Sequence, residues 1–142
     1  MSGDLMLPLC REIDLPGGKR STVLTSFDPS TKEGRVKLFK VLNADFISSD
    51  DVLDSPLAVV DVVCYPDTFV DKDSGETLQV TRSVLVLADG KMVSTTSGGV
   101  YKSIVQYCTL CSAPPWNPPV TFVICETKTR NNRPYRYLSV AD

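Results

Sequence analysis

Between Leu57 and Thr96 the chain spells out three strands and the turns between them, and this meander restricts the fold more than any other feature. "LAVVDVVCY" (Leu57–Tyr65) is a dense β-branched run. "DKDSGE" (Asp71–Glu76) carries the residues that favour turns. "TLQVTRSVLVLA" (Thr77–Ala88) reads as a second strand, with Leu85 and Leu87 on one face and Arg82, Val84 and Val86 on the other. Asp89-Gly90 is a two-residue hairpin signal, so "KMVSTT" (Lys91–Thr96) returns antiparallel to it.

Then the period changes. In "SGGVYKSIVQYCTLC", Val100, Ile104, Cys108 and Cys111 recur at helical spacing, with Ser97 placed to cap the helix. The helix stops before Pro114-Pro115. "VTFVICETK" (Val120–Lys128) is a fourth strand, "TRNNR" a turn, and "YRYLSV" (Tyr135–Val140) a fifth. The order β-β-β-α-β-β belongs to a mainly β fold, and a five-stranded OB-fold-like Greek-key barrel has this order, its helix lying between strands three and four. The expected organisation is a barrel over residues 51–142 and an N-terminal extension, residues 1–50, packed on it. In the extension, the first sixteen residues look loose and run into Pro16-Gly17-Gly18. "RSTVLTSF" (Arg20–Phe27) reads as a short strand. Ser30 and Glu33 have capping-box spacing and predict a helix over Thr31–Asn43, weakened by Gly34.

Composition removes several classes of function. At 142 residues and 42% hydrophobic, the chain is one domain with enough apolar material for a core. No apolar run is long enough to cross a membrane, and "MSGDLMLPLC" lacks the basic start and apolar block of a secretory signal. A cytoplasmic location is expected. Five cysteines and no histidine fit free thiols in a reducing compartment, and they deprive the chain of the commonest general base and zinc ligand. Cys108 and Cys111 form a lone C-x-x-C, whose place on the apolar helix face favours core packing over zinc or redox chemistry. "SGGVYKS" lacks the spacing of a phosphate loop. Asp50, Asp51 and Asp54 read as a solvated turn before they read as a cation site. No nucleophile, base and orienting group can be assembled, so no enzyme, cofactor or metal is expected.

The most unusual stretch is "KTRNNRPYRYL" (128–138), with four cations and two tyrosines in a chain of net charge -2. Residues 1–100 carry 10 cations and 15 anions, and residues 101–142 carry 5 cations and 2 anions. In the barrel reading, the turn between strands four and five closes over a bound oligonucleotide, as does the turn between strands one and two. The first turn brings Arg130 and Arg133; the second brings Phe69 and Lys72. Alternation puts Tyr135 and Tyr137 on the face opposite Leu138 and Val140. Single strands are held by aromatic faces that stack bases and by cations that follow the backbone. The expected interface is therefore Arg82, Lys128, Arg130, Arg133, Tyr135, Arg136 and Tyr137, joined by Phe69 and Lys72. Trp116, in the rigid "PPWNPP", reads either as a wedge between helix and barrel or as a further stacking or partner-docking residue. The plainer alternative for the basic turn is cross-strand pairing on an exposed sheet face.

Between about Pro29 and Val140 stand "FDPSTKEGRVKLFKVLNAD", "LAVVDVV", "DGK" leading to "SGGVYKSI", "PPWNPPVTF" and "ETKTR". In these motifs the chain resembles the single-stranded DNA-binding proteins encoded by small tailed phages. The resemblance implies a non-enzymatic protein that coats single strands in phage replication or recombination, in contact with single-stranded DNA and replication proteins. Only "SVAD" stands where many single-strand binders carry an acidic tail, so recruitment through such a tail is not expected. Open barrel edges also leave a homodimer available. The rival reading is a phage accessory or inhibitor protein that grips a host protein through the barrel or the acidic N-terminal half.

Overall fold

The structure is a computed structural model that describes residues 10–15 and 19–141. Its elements are β1 (Cys10–Leu15), β2 (Lys19–Thr25), α1 (Lys32–Leu42), β3 (Ile47–Ser48), a single 3-10 turn (Ser49–Asp51), β4 (Pro56–Val70), β5 (Thr77–Leu87), β6 (Met92–Thr95), α2 (Gly98–Leu110), β7 (Val120–Lys128) and β8 (Pro134–Val140). The fold is mainly β. One mixed sheet holds all eight described strands in the order β1-β2-β4-β5-β6-β3, and β7 pairs with β4 and β8. Among the described residues no ladder joins β6 to β8, so the sheet is open.

The meander forms as its turns dictate. At Asp89-Gly90, Gly90 takes φ 90°, and the amide of Leu87 donates to Lys91 O across the turn at 2.9 Å. Ser97 caps α2 by accepting from the amide of Val100 at 3.2 Å. β4 runs five residues past Tyr65, where the sequence reading stopped short of Pro66. The β2 ladder reaches only Cys64, and beyond it β5 is the strand paired with β4. A residue without an amide hydrogen is tolerated on that open edge. β4 and β5 thus continue as a two-stranded arm, with Phe69 opposite Leu78 and Val70 opposite Thr77.

Both faces of the sheet are covered. On one face α2 supplies Val100, Ile104 and Cys108 to a core with Val62, Leu85, Val93, Phe122 and Ile124. On the other, Leu38 and Val41 of α1 pack on Val23, Val63 and Val84. The N-terminal residues join the same sheet: β2 adds to β4, β3 adds in parallel to β6, and α1 covers the face that the sequence reading left open around Val84 and Val86. The first sixteen residues, expected to be loose, include β1, which pairs along β2. Pro16-Gly17-Gly18 and residues 1–9 lie outside the described residues.

The cap of α1 is Thr31, one residue beyond the expected Ser30. Its hydroxyl accepts from the Gly34 amide at 3.0 Å and donates to Asp28 O at 3.0 Å. Gly34 is required there, since a Cβ would lie 1.8 Å from Asp28 O. In an exposed helix, Gly→Ala gains about 1 kcal/mol. Here the sign inverts: Gly34→Ala is expected to destabilise the chain by about 1–3 kcal/mol through overpacking. Urea denaturation measures this, and a stabilised Gly34→Ala variant would contradict it.

Cys108 lies in the core, and burial pushes its thiol up to about 11. Cys111, expected on the same apolar face, is instead exposed at the C-cap of α2. The helix has ended there, so the helical period no longer governs where it points.

Candidate nucleic-acid interface

The β7–β8 hairpin carries "KTRNNRPYRYL" out of the sheet. Thr129 tightens its turn: its amide donates to Arg133 O at 2.9 Å, and its carbonyl accepts from the Asn132 amide at 2.9 Å. Asn132 has φ 60°, a conformation that asparagine tolerates better than most residues. Lys128, Arg130 and Arg133 are exposed around this turn and make no ion pair among the described residues.

Register places Tyr135 and Tyr137 on one face of β8, opposite Thr127 and Cys125. Their rings stack with centroids 6.3 Å apart and planes 23° from parallel. Tyr135 remains 38% exposed. It leans on the start of α2 at Gly99, where a Cβ would lie 2.0 Å from Arg136 O and 2.8 Å from the Tyr135 ring. Any side chain at position 99 would displace the tyrosine.

From this end a track crosses the sheet. A hollow at the start of α2 is lined by Ser97, Gly98, Gly99, Glu126, Pro134, Tyr135 and Arg136. It shares Ser97 and Arg136 with an open groove of ≈ 380 Å³ that continues over Ser94, Thr95 and Thr96 to Arg82 and Phe69. The groove floor is mostly hydroxyls. These hydroxyls were not among the expected contacts, although "STTSGG" is a visible run of small polar residues.

The two groove arginines already have partners. Arg82 donates to Asp67 at 2.7 Å and to Ser94 at 2.6 Å. Arg136 bonds Asp50, Glu126 at 3.0 Å and Ser49 at 2.9 Å. It thereby ties β8 to the 3-10 turn, bridging the gap between β6 and β8. Asp50 serves this ion pair, a role its reading as a solvated turn residue did not include.

The remaining expected positions divide. Phe69 is 43% exposed at the far end of the groove. Lys72 sits at the arm tip among Asp71, Asp73 and Glu76, which outweigh its charge. Trp116 is 5% exposed and packs edge-on against Tyr107 and Phe122, at 5.5 and 5.7 Å between centroids. Its indole N–H donates to Ser112 Oγ at 3.1 Å. It is the wedge of the two alternatives, since a buried ring presents no face to a base. Among the described residues no helix is long and apolar enough to cross a membrane.

Stacked tyrosines, cations beside them that make no ion pair among the described residues, and a hydroxyl-lined groove leading away make the kind of surface that suits an unpaired strand. The comparison of families agrees with this class. The family model for phage single-stranded DNA-binding protein, of the Phi29 type, matches residues 17–141, and the chain belongs to that family. No curated protein and no solved structure matches it.

Proposed function

We propose that this chain coats single-stranded DNA during phage replication or recombination in the host cytoplasm, by sequence-tolerant binding and without catalysis. One observation carries the reading: Tyr135 and Tyr137 stack beside three cations that make no ion pair among the described residues. Lys128, Arg130 and Arg133 take phosphates, and the tyrosines take bases. The strand then follows the hydroxyl groove to Phe69. Arg82 and Arg136 join only by exchanging carboxylates for phosphates, so they rank below the turn cations. Lys72 contributes little from within the acidic tip, and Trp116 acts through the core.

In this reading β4, β5, β6, β7 and β8 are the five strands of a partly open OB-type barrel spanning residues 51–142. Three features support it: the element order, the pairing of the first strand with the fourth, and a groove between the two hairpins over strands two and three. The N-terminal strands and α1 then extend and cover that barrel.

Base stacking on an aromatic side chain contributes ~1–3 kcal/mol by alanine substitution. Tyr135→Ala and Tyr137→Ala are each expected to weaken oligo-dT binding by about ten-fold or more. Titration of a fluorescent oligonucleotide measures this, with circular dichroism as the check on folding. Folded alanine variants that bind like the wild type would remove the tyrosines from the interface.

A further inference from the structure

Arg82 lines the proposed groove together with Phe69 and Ser94, yet a carboxylate already holds it. Its Nε donates to Asp67 Oδ2 at 2.7 Å, and Nη1 donates to Ser94 Oγ at 2.6 Å. Register places Arg82 opposite Tyr65 and Asp67 opposite Val80, so the two are diagonal neighbours on one face of the β4–β5 ladder. The other oxygen of Asp67 accepts from the Thr68 amide at 2.8 Å, which fixes the carboxylate itself.

The remaining cations of the interface are built differently. Lys128, Arg130 and Arg133 make no ion pair among the described residues. Arg136 bonds two carboxylates, Asp50 and Glu126, and ties the 3-10 turn to β8, so it belongs to the frame. Arg82 bonds one carboxylate, and the strand that carries it is already paired with β4 and β6. The side chains of Arg82 and Asp67 are 24% and 36% exposed, and a partly exposed ion pair of this kind contributes little to stability. Its larger effect is on charge: it cancels a cation on the path of a polyanion.

A carboxylate and a phosphate accept from the same guanidinium N–H groups. A strand that reaches Arg82 must displace Asp67. The displaced carboxylate then stands unpaired beside the phosphate, and like charges at that range repel. Exchange therefore gains little while Asp67 is charged.

We infer that Asp67 is an internal competitor of the DNA phosphates: it keeps Arg82 neutralised and limits how firmly the groove holds a strand. Capture is thereby left to the β7–β8 hairpin. The inference rests on the single-strand reading and names the residue that sets the affinity of its groove.

The test is anisotropy titration of a labelled oligo-dT at several salt concentrations, with circular dichroism as the check on folding. Asp67→Asn keeps the size of the side chain and removes its charge. It is expected to tighten binding by about ten-fold, since Arg82 becomes free for a phosphate. The slope of log affinity against log salt should steepen by about 0.7, one added contact on a single strand. Asp67→Asn/Arg82→Gln replaces a neutral pair by a neutral pair and is expected to bind like the wild type. Asp73→Asn makes the same charge change at the arm tip, where Asp73 has no ion pair among the described residues, and should give no such gain. A wild type that binds, with a folded Asp67→Asn no tighter, would overturn this inference alone. So would a gain that persists without Arg82 or appears equally in Asp73→Asn, because the carboxylate would then act through its field and not through Arg82. If neither wild type nor Asp67→Asn binds, the single-strand reading falls and this inference with it.

Discussion

Reversing Arg130 and Arg133 together to glutamate is expected to lower affinity for single-stranded DNA by about two orders of magnitude, at little cost to stability. A hydrogen bond to a charged group contributes about 1.5–3 kcal/mol, and ~1.4 kcal/mol is ten-fold in affinity. Both side chains are exposed and without an ion pair among the described residues, so the fold does not depend on them. Salt response is the sharper readout. Each phosphate contact on a single strand contributes about 0.7 to the slope of log affinity against log salt. Losing two contacts should flatten that slope by about 1.4. The matching change at Arg136 would be harder to interpret, because Arg136 also holds the 3-10 turn to β8 through Asp50 and Ser49. An unchanged slope in a folded Arg130→Glu/Arg133→Glu variant would place the strand elsewhere.

Truncating Trp116 to alanine is expected to cost about 3–5 kcal/mol of stability, the usual range for a large buried aromatic. The ring touches Tyr107 from α2 and Phe122 from β7, so it joins the helix to the sheet. Its backbone amide also donates to Val60 O at 2.8 Å, anchoring the proline segment to β4. Denaturant titration of Trp116→Ala measures the loss, and a change below about 1 kcal/mol would show that the wedge is dispensable. Trp116→Leu separates core from interface. It keeps an apolar side chain in the core but offers no aromatic face, and the folded variant is expected to keep its oligonucleotide affinity, which loss of a stacking residue would not allow.

From Leu57 to Val140 the sequence was legible because its signals are local. β-branched density gives β4, β5 and β7, Asp89-Gly90 gives the hairpin, Ser97 caps α2, and Pro114-Pro115 bars its continuation. The N-terminal half resisted because its structure is tertiary. "CREIDL" becomes a strand by pairing with β2, and Ile47–Ser48 by pairing with β6, where two residues carry no periodicity to read. Gly34 looked like a weakness of α1, yet contact with Asp28 requires it. Among the candidate contacts, alternation was enough to put Tyr135 and Tyr137 on one face. It could not reveal that Arg82 and Arg136 are matched to carboxylates 15 and 10 residues away in sequence, nor that Asp50 joins the pair from across the fold. Those contacts exist only once the sheet has formed.

Central to this account is that the β7–β8 hairpin and its groove hold an unpaired strand. The most direct test is fluorescence anisotropy of a labelled oligo-dT of about 30 nucleotides, at about 50 and about 200 mM salt, with duplex DNA as competitor. Binding that weakens as salt rises and ignores duplex is the expected result. No binding at the lower salt would contradict the account and assign the arginines and tyrosines of "KTRNNRPYRYL" to the fold or to a protein partner.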